Sequence, residues 1–238
     1  MAESTDLLTS KPAPAASRSR WIRVWDWPTR LFHWSLVLLV CLNVYTGNVG
    51  GLREMDLHML SGYAILALVL FRLVWGVIGS RRSRFADFVR GPVAVIAYAR
   101  SLVGGVHRSF VGHNPMGGWS VMAMLLSLLV QAVTGLFSRD DILTEGPLVR
   151  HVSKQTSNLL TGIHEVNATV LYVLIATHLI AVFGYLVVKK ENLIRPMLTG
   201  RKLMAEHDVS ADAGYASGWV AAVVLAVAAG IVWYVVTR

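Results

Sequence analysis

Five apolar segments dominate the pattern of hydrophobic and polar positions along the chain, and polar stretches separate them. Each segment is close to the roughly 20 residues that a helix needs to cross a bilayer. Long runs of this kind indicate helices rather than the alternating short strands of a membrane barrel. The sequence therefore predicts an all-α membrane protein with spanning segments at residues 31–49, 57–78, 119–137, 166–188 and 219–236.

The stretches between these segments suggest three domains. Residues 1–20 are rich in Ser, Ala, Pro and Thr without periodicity, which predicts a disordered cytoplasmic tail and no secretory signal. Residues 21–203 are predicted to form a four-helix transmembrane domain. Within it, residues 79–118 are too polar to span and are interpreted as an amphipathic stretch on the cytoplasmic face. Residues 204–238 are predicted to be a linker and a fifth transmembrane helix.

Composition supports the assignment as a membrane protein and argues against nucleic-acid binding and thiolate metal binding. Hydrophobic residues make up 55% of the 238 residues and charged residues 15%, whereas an ordinary soluble domain carries about 25% charged residues. A net charge of +8 would suggest nucleic acid as the partner of a soluble protein. Here it is interpreted as basic loops facing the cytoplasm, with no nucleic-acid partner. The single cysteine, Cys41, provides neither a disulfide framework nor a thiolate metal site.

Basic residues predict the orientation of the helices. The tail, the loop between the second and third segments and the loop after the fourth hold 16 Lys and Arg, and the opposite side holds 5. The positive-inside rule then places the N-terminus in the cytoplasm and the C-terminus outside. Five tryptophans fall at predicted membrane interfaces, where indole rings are expected: Trp25, Trp27, Trp34, Trp75 and Trp119.

Four histidines lie in or at the mouths of the predicted spans, where an ionisable residue suggests a function. His164 and His178 are 14 residues apart, so they share one helix face about 21 Å apart along the axis. The topology pairs His58 with His164 near the outer surface and His33 with His178 in the inner half. Two such pairs suit two bis-histidine haems, and the saturated irons favour electron transfer over oxygen binding.

Two further residues are candidates for the cofactor site. Gly62 lies four residues after His58 on the same face, where it could make room for a haem plane, and close helix packing is the alternative. Arg72 lies 14 residues after His58, at the inner level. It could bind a haem propionate or reach the cytoplasmic headgroups. The other histidines are predicted to be solvated or interfacial: His107, His113, His151 and His207.

Six stretches between residues 23 and 203 occur in the order known from one family: VWDWPTRLFHW, LHMLSGYAILALVLFRLVWG, RFADFVRGPVAVIAYAR, GHNPMGGWSVMAMLLSLLVQAVTGLF, IHEVNATVLYVLIATHLIAV and KKENLIRPMLTGRK. The chain thus resembles the bacterial cytochrome b561 family, which includes the b-type cytochrome subunits of nickel-iron hydrogenases. The resemblance implies a multi-pass protein of the bacterial inner membrane, so that the outer side, where the positive-inside rule places the C-terminus, is the periplasm. It also implies a four-helix bundle with two haems b bound by His33, His58, His164 and His178.

The resemblance further implies electron exchange between a periplasmic redox protein and membrane quinone in a respiratory chain. The fifth segment is extra to the four-helix core and is interpreted as a partner-docking helix. Because of this extra segment, the electron donor is not identified. The candidates are cytochrome c, a hydrogenase and another oxidoreductase such as a molybdenum enzyme. Whether the chain itself acts as a quinone reductase or quinol oxidase, and whether it forms a homo-oligomer, also stays open.

Two other functions are alternatives to that of a dihaem electron carrier. A His-lined transporter of a divalent metal would use carboxylates such as Asp56 and Glu165, but these lie only at the outer rim. A purely structural anchor for a soluble oxidoreductase would not need four placed histidines.

Quinone is expected near the inner haem, beside Arg72, Arg30 and the stretch after Arg81. A site on the outer side, near His151 and Glu165, is the alternative.

Overall fold

The computed structural model describes residues 19–105, 110–139, 144–205 and 214–238. Within them, five helices are long and apolar enough to cross a membrane, which confirms the five predicted spans. In chain order the elements are β1 (Ser19–Arg23), α1 (Trp27–Val49), α2 (Leu52–Ile78), α3 (Phe85–Phe88), α4 (Pro92–Val103), α5 (Pro115–Gly135), α6 (Lys154–Val187), α7 (Ile194–Thr199), β2 (Arg201–Ala205) and α8 (Gly218–Val236), with short 3₁₀ turns at Arg81–Ser83 and Val149–His151.

The spanning helices begin earlier than their apolar segments because polar residues cap them. Asp26 starts α1, where its Oδ1 accepts a hydrogen bond from the Thr29 amide at 2.8 Å. Asn114 caps α5 and Ser153 caps α6 in the same manner. Such caps satisfy backbone N–H groups that the first helical turn leaves unpaired. The largest extension is at α6, whose 34 residues make a helix about 51 Å long.

Helix α2 forms the centre of the bundle and packs against α1, α5 and α8, whereas α6 packs chiefly against α5. Trp75 of α2 is completely buried, and its ring stacks on Phe71 at 5.8 Å. Its Nε1 donates a hydrogen bond to Asp26 at 3.1 Å. Trp75 is therefore a core residue, and the prediction that it belongs to an interfacial belt is wrong.

A small antiparallel sheet of β1 and β2 lies where α1 begins, and we call this the sheet end of the bundle. The sequence analysis predicts no strand there. Instead, residues 19–20 of the expected tail and residues 204–205 of the expected linker belong to the sheet, which pairs Ser19 with Ala205 and Arg23 with Arg201. The opposite end carries the turn at Gly50, where α1 meets α2, and we call it the loop end.

Short helix α3 is wedged between α2 and α5 at the sheet end. A Cβ on Gly76 would lie 2.1 Å from the ring of Phe85, and a Cβ on Gly118 would lie 2.7 Å from the carbonyl oxygen of Phe88. Each glycine thus makes room for one phenylalanine of α3. The stretch predicted to lie on the membrane surface therefore also closes this end of the bundle.

Candidate cofactor site

The imidazoles of His58 on α2 and His164 on α6 face each other at the loop end. Their ring centres are 6.3 Å apart and their planes are inclined by 73°. Two imidazoles that bind one metal ion from opposite sides, each through a bond of about 2 Å, have ring centres about 6 Å apart. The structure therefore brings together the two histidines of the predicted outer pair at a separation that suits one shared metal.

Backbone carbonyls orient both of these rings. Nδ1 of His58 donates to the carbonyl oxygen of Asn43 at 3.1 Å, and Nδ1 of His164 donates to that of Gln131 at 2.9 Å. Because a carbonyl oxygen only accepts, each neutral ring carries its proton on Nδ1. Nε2 is then the metal-binding nitrogen, which is the usual arrangement of histidine ligands and their supporting groups.

Glycines let these two rings lie close to neighbouring helices. A Cβ on Gly47 or on Gly135 would lie 3.0 Å from Cε1 of His58 or His164, respectively. Gly62 is different, because a Cβ there would meet only Asn43, with Nδ2 at 3.9 Å. Close packing of protein atoms therefore does not account for Gly62, and the haem-plane explanation remains a prediction.

The predicted inner pair lies at the sheet end. His33 on α1 and His178 on α6 are close enough to interact electrostatically. Nδ1 of His33 is buried and has no hydrogen-bond partner among the described residues, in contrast to the histidines at the loop end.

An apolar layer lies between the two pairs. It contains Ile65 and Val69 of α2, Leu128 of α5 and Leu171 of α6. Leu171 is seven residues from each of the two histidines on α6, so it lies midway between them along the axis. The layer places packed apolar side chains between the two pairs.

Arg72 is buried at the sheet end, with only 3% of its surface exposed. Its guanidinium lies 4.8 Å from the centre of the Phe85 ring and interacts electrostatically with Asp26. Its Nη1 is buried without a hydrogen-bond partner in the described part of the chain. An arginine reaching the headgroups would be exposed, so this position favours the alternative in which Arg72 serves a buried anion.

Sequence reasoning missed His113, which precedes α5. Its ring lies 4.7 Å from that of Trp25 and 4.6 Å from that of Phe88, and its Nδ1 is buried. Burial, together with the smaller effect of the nearby Arg72, His178 and His33, lowers the pKa of His113 to about 3. His113 is therefore part of the sheet-end cluster and is not solvated as predicted.

The remaining histidines are less informative. His151 accepts a hydrogen bond on Nε2 from Arg150 at an exposed position, as a solvated residue would. His107 and His207 lie outside the described residues.

Spanning helices with partly buried histidines that face each other are typical of one class of protein, the membrane-embedded b-type cytochromes. The profile of the prokaryotic cytochrome b561 family matches residues 24–200, about three quarters of the chain. The chain therefore belongs to this family, which makes it a multi-pass bacterial membrane protein of electron transfer. No curated protein and no solved structure matched the chain.

The residues present fit haem b, the cofactor of this family. His58 and His164 would hold the haem iron through Nε2 of their facing imidazoles, since Nδ1 of each ring is engaged by a carbonyl. The buried cation of Arg72 suits the anionic side chains of a haem. When bound, haem supplies an iron that is oxidised and reduced by one electron.

Proposed function

We propose that the protein is a dihaem cytochrome that transfers electrons between a periplasmic redox protein and membrane quinone. The observation that carries this proposal is the 6.3 Å separation of His58 and His164, with both Nδ1 atoms held by carbonyls. His33 and His178 would bind the second haem. Because both axial positions are then filled by imidazole, each site favours electron transfer over ligand binding.

The path between the two sites follows α6. His164 and His178 stand about 21 Å apart along its axis, by the rise per residue. Leu171 and the rest of the apolar layer separate them. Packed apolar side chains limit the solvent reorganisation that accompanies a change of charge, which supports electron exchange between the two sites.

The distribution of basic residues supports an orientation with the sheet end in the cytoplasm. The loop-end pair would then receive electrons from a periplasmic partner, with cytochrome c, a hydrogenase and another oxidoreductase as the candidate classes. Helix α8 packs against α2 and exposes Trp219, Val227 and Trp233. We propose that residues 204–238 add a partner-docking helix to the dihaem domain of residues 21–203.

Quinone would bind near the sheet-end pair, where protons come from the cytoplasm. Arg30 supports this position, because its Nη1 donates to the carbonyl oxygen of Leu198 at 2.5 Å and so lies at the same end as His33. The alternative is a site at the loop end near His151 and Glu165. The two positions differ in which haem exchanges electrons with quinol directly.

A divalent-metal transporter is the second candidate function. Within the residues that the structure describes, no group of three or more His, Cys, Asp or Glu side chains could hold a metal ion. The two facing imidazoles at the loop end suit an iron whose other ligands come from a porphyrin. This arrangement favours the cytochrome.

Purification from native membranes tests the proposal. We expect a red protein with two haems b per chain and the low-spin spectra of bis-histidine ligation. Copurified subunits would identify the redox partner. Protein that is colourless as isolated from haem-replete cells, or that carries one haem per chain, would contradict the proposal.

A further inference from the structure

The two ends of the bundle differ in how their buried nitrogens are satisfied. At the loop end, Nδ1 of each histidine donates to a backbone carbonyl. At the sheet end, the buried nitrogens without a hydrogen-bond partner among the described residues include His33 Nδ1, Arg72 Nη1 and His113 Nδ1. Buried polar groups in proteins are nearly always paired, so this cluster of donors indicates a ligand with acceptor oxygens.

Aromatic rings connect Arg72 with His113. The guanidinium lies 4.8 Å from the centre of the Phe85 ring, which is 5.9 Å from the ring of Phe88. Phe88 in turn is 4.6 Å from His113, whose other neighbour is Trp25 at 4.7 Å. The two rings beside His113 fix its plane, so its nitrogens have defined directions.

The protein's own carboxylate in this region is already engaged. Asp26 accepts hydrogen bonds from the Thr29 amide, the Trp75 indole and the Ser83 hydroxyl. It interacts with Arg72 electrostatically, yet Nη1 of Arg72 is left without a partner. That nitrogen is therefore available to an acceptor on a bound molecule.

We propose that His113, together with Arg72, binds the propionate carboxylates of the haem held by His33 and His178. This inference rests on the proposed dihaem function. A guanidinium forms strong charge-assisted hydrogen bonds to a carboxylate. The neutral His113 ring donates one N–H, and Trp25 and Phe88 hold that donor in place. His113 is thus a positioning residue that tunes the sheet-end haem without bonding to its iron.

Two substitutions of His113 separate the donor from the packing. His113→Phe keeps a ring between Trp25 and Phe88 and removes the donor. His113→Asn keeps an N–H near the position of Nδ1. Both are compared with the parent as purified two-haem protein, with haem ¹³C-labelled at its propionate carboxyl carbons. The measurements are the midpoint potential of each haem and the redox-difference infrared spectrum. The loss of one haem in His33→Ala assigns the sheet-end signals.

We expect His113→Phe to lower the midpoint potential of the sheet-end haem, because an unpaired propionate charge stabilises the ferric iron. The ¹³C-sensitive carboxylate bands should shift in the same variant. His113→Asn should stay close to the parent in both measurements. The loop-end haem should be unchanged in both variants.

Several results would overturn the inference. One is an unchanged midpoint potential of the sheet-end haem in His113→Phe. Another is a changed midpoint potential without a shift of the ¹³C-sensitive carboxylate bands, because that result would point to a lipid phosphate. Loss of the sheet-end low-spin signal in both variants would make His113 an iron ligand. If His113→Phe does not fold, Arg72→Met and Arg72→Lys are compared in the same way. The sheet-end haem should have a lower midpoint potential in Arg72→Met than in Arg72→Lys. Equal midpoint potentials in these two variants would overturn the inference. A parent protein without haem would overturn the proposed function. A His113→Phe protein that holds two haems, with midpoint potentials and carboxylate bands equal to those of the parent, would overturn this inference alone.

Discussion

Thr46 on α1 and Thr134 on α5 occupy equivalent positions around the loop-end histidines. Their hydroxyl oxygens lie 3.4 Å from Nδ1 of His58 and 3.3 Å from Nδ1 of His164. Both threonines are buried, with 1% and 5% of their surfaces exposed, and both hydroxyls donate to carbonyls of their own helices. The α1–α2 and α5–α6 hairpins thus hold one histidine each in the same way.

The histidine pairs predict how haem content responds to loss of a ligand. His58→Ala and His164→Ala should each remove the loop-end haem, and His33→Ala and His178→Ala the sheet-end haem, because one imidazole cannot maintain low-spin ligation. The pyridine haemochrome assay should then find about half the parent haem in each variant. Equivalent spectral losses in His33→Ala and His58→Ala, with none in His178→Ala, would show that the pairing is wrong.

Gly47 and Gly135 should be sensitive to the addition of a single methyl group. In Gly47→Ala or Gly135→Ala, the new Cβ lies 3.0 Å from a histidine ring, so the ring must move. We expect altered g-values of the loop-end haem in electron paramagnetic resonance. Gly162→Ala is the matched control, because nothing lies within 4 Å of a Cβ there. A spectrum equal to that of the parent in both test variants would contradict this role.

Asp26 should contribute strongly to stability. Asp26→Ala removes the cap of α1 and leaves the buried Arg72 cation without its nearby carboxylate. It also leaves the buried Trp75 indole and Ser83 hydroxyl without their acceptor, and a buried donor left unpaired costs about 1–3 kcal/mol. Thermal unfolding in detergent should show a clearly lower midpoint. The control is Asp87→Ala, since Asp87 forms only a partly exposed 3.7 Å ion pair with Arg81, and such pairs contribute about 0–1 kcal/mol. Equal midpoints for the two variants would argue against the role of Asp26.

Orientation can be tested with reporters at residues 20 and 238. Five spans and the excess of basic residues at the sheet end predict a cytoplasmic reporter at residue 20 and a periplasmic one at residue 238. Alkaline phosphatase and green fluorescent protein fusions distinguish the two compartments. A periplasmic signal from residue 20 would reverse the proposed direction of electron entry.

Quinol kinetics distinguish the two possible quinone sites. Reduction by a quinol analogue in a stopped-flow instrument should be much slower in His178→Ala than in the parent. His164→Ala should retain fast reduction of its remaining haem. Parent-rate exchange in His178→Ala would place the quinone site at the loop end.

The sequence was sufficient to predict the five spans and the closeness of His58 to His164, because hydrophobicity and helical periodicity are local properties. His58 and His164 are an example, since their predicted depth in the membrane was enough to predict that they lie close together. Strand β1 was not predictable, because its pairing partner β2 lies about 180 residues later and both strands are short.

The surroundings of single side chains were the least predictable features. His113 follows a polar stretch, which suggests solvent, but Trp25 and Phe88 from two other segments cover it. Trp75 lies near a helix end, which suggests an interface, but Asp26 binds its indole inside the bundle. In both cases the decisive partner lies far away in sequence.

The position of both α6 histidines has a consequence for biogenesis. Under the proposed ligation, each haem joins the first hairpin of the chain to α6, which is synthesised long after it. A nascent chain that ends before α6 carries His33 and His58 but neither of their partners. Insertion of the loop-end haem therefore has to wait until the ribosome has passed residue 164, and insertion of the sheet-end haem until it has passed residue 178. Each bound haem then links α6 to the hairpin that was synthesised first.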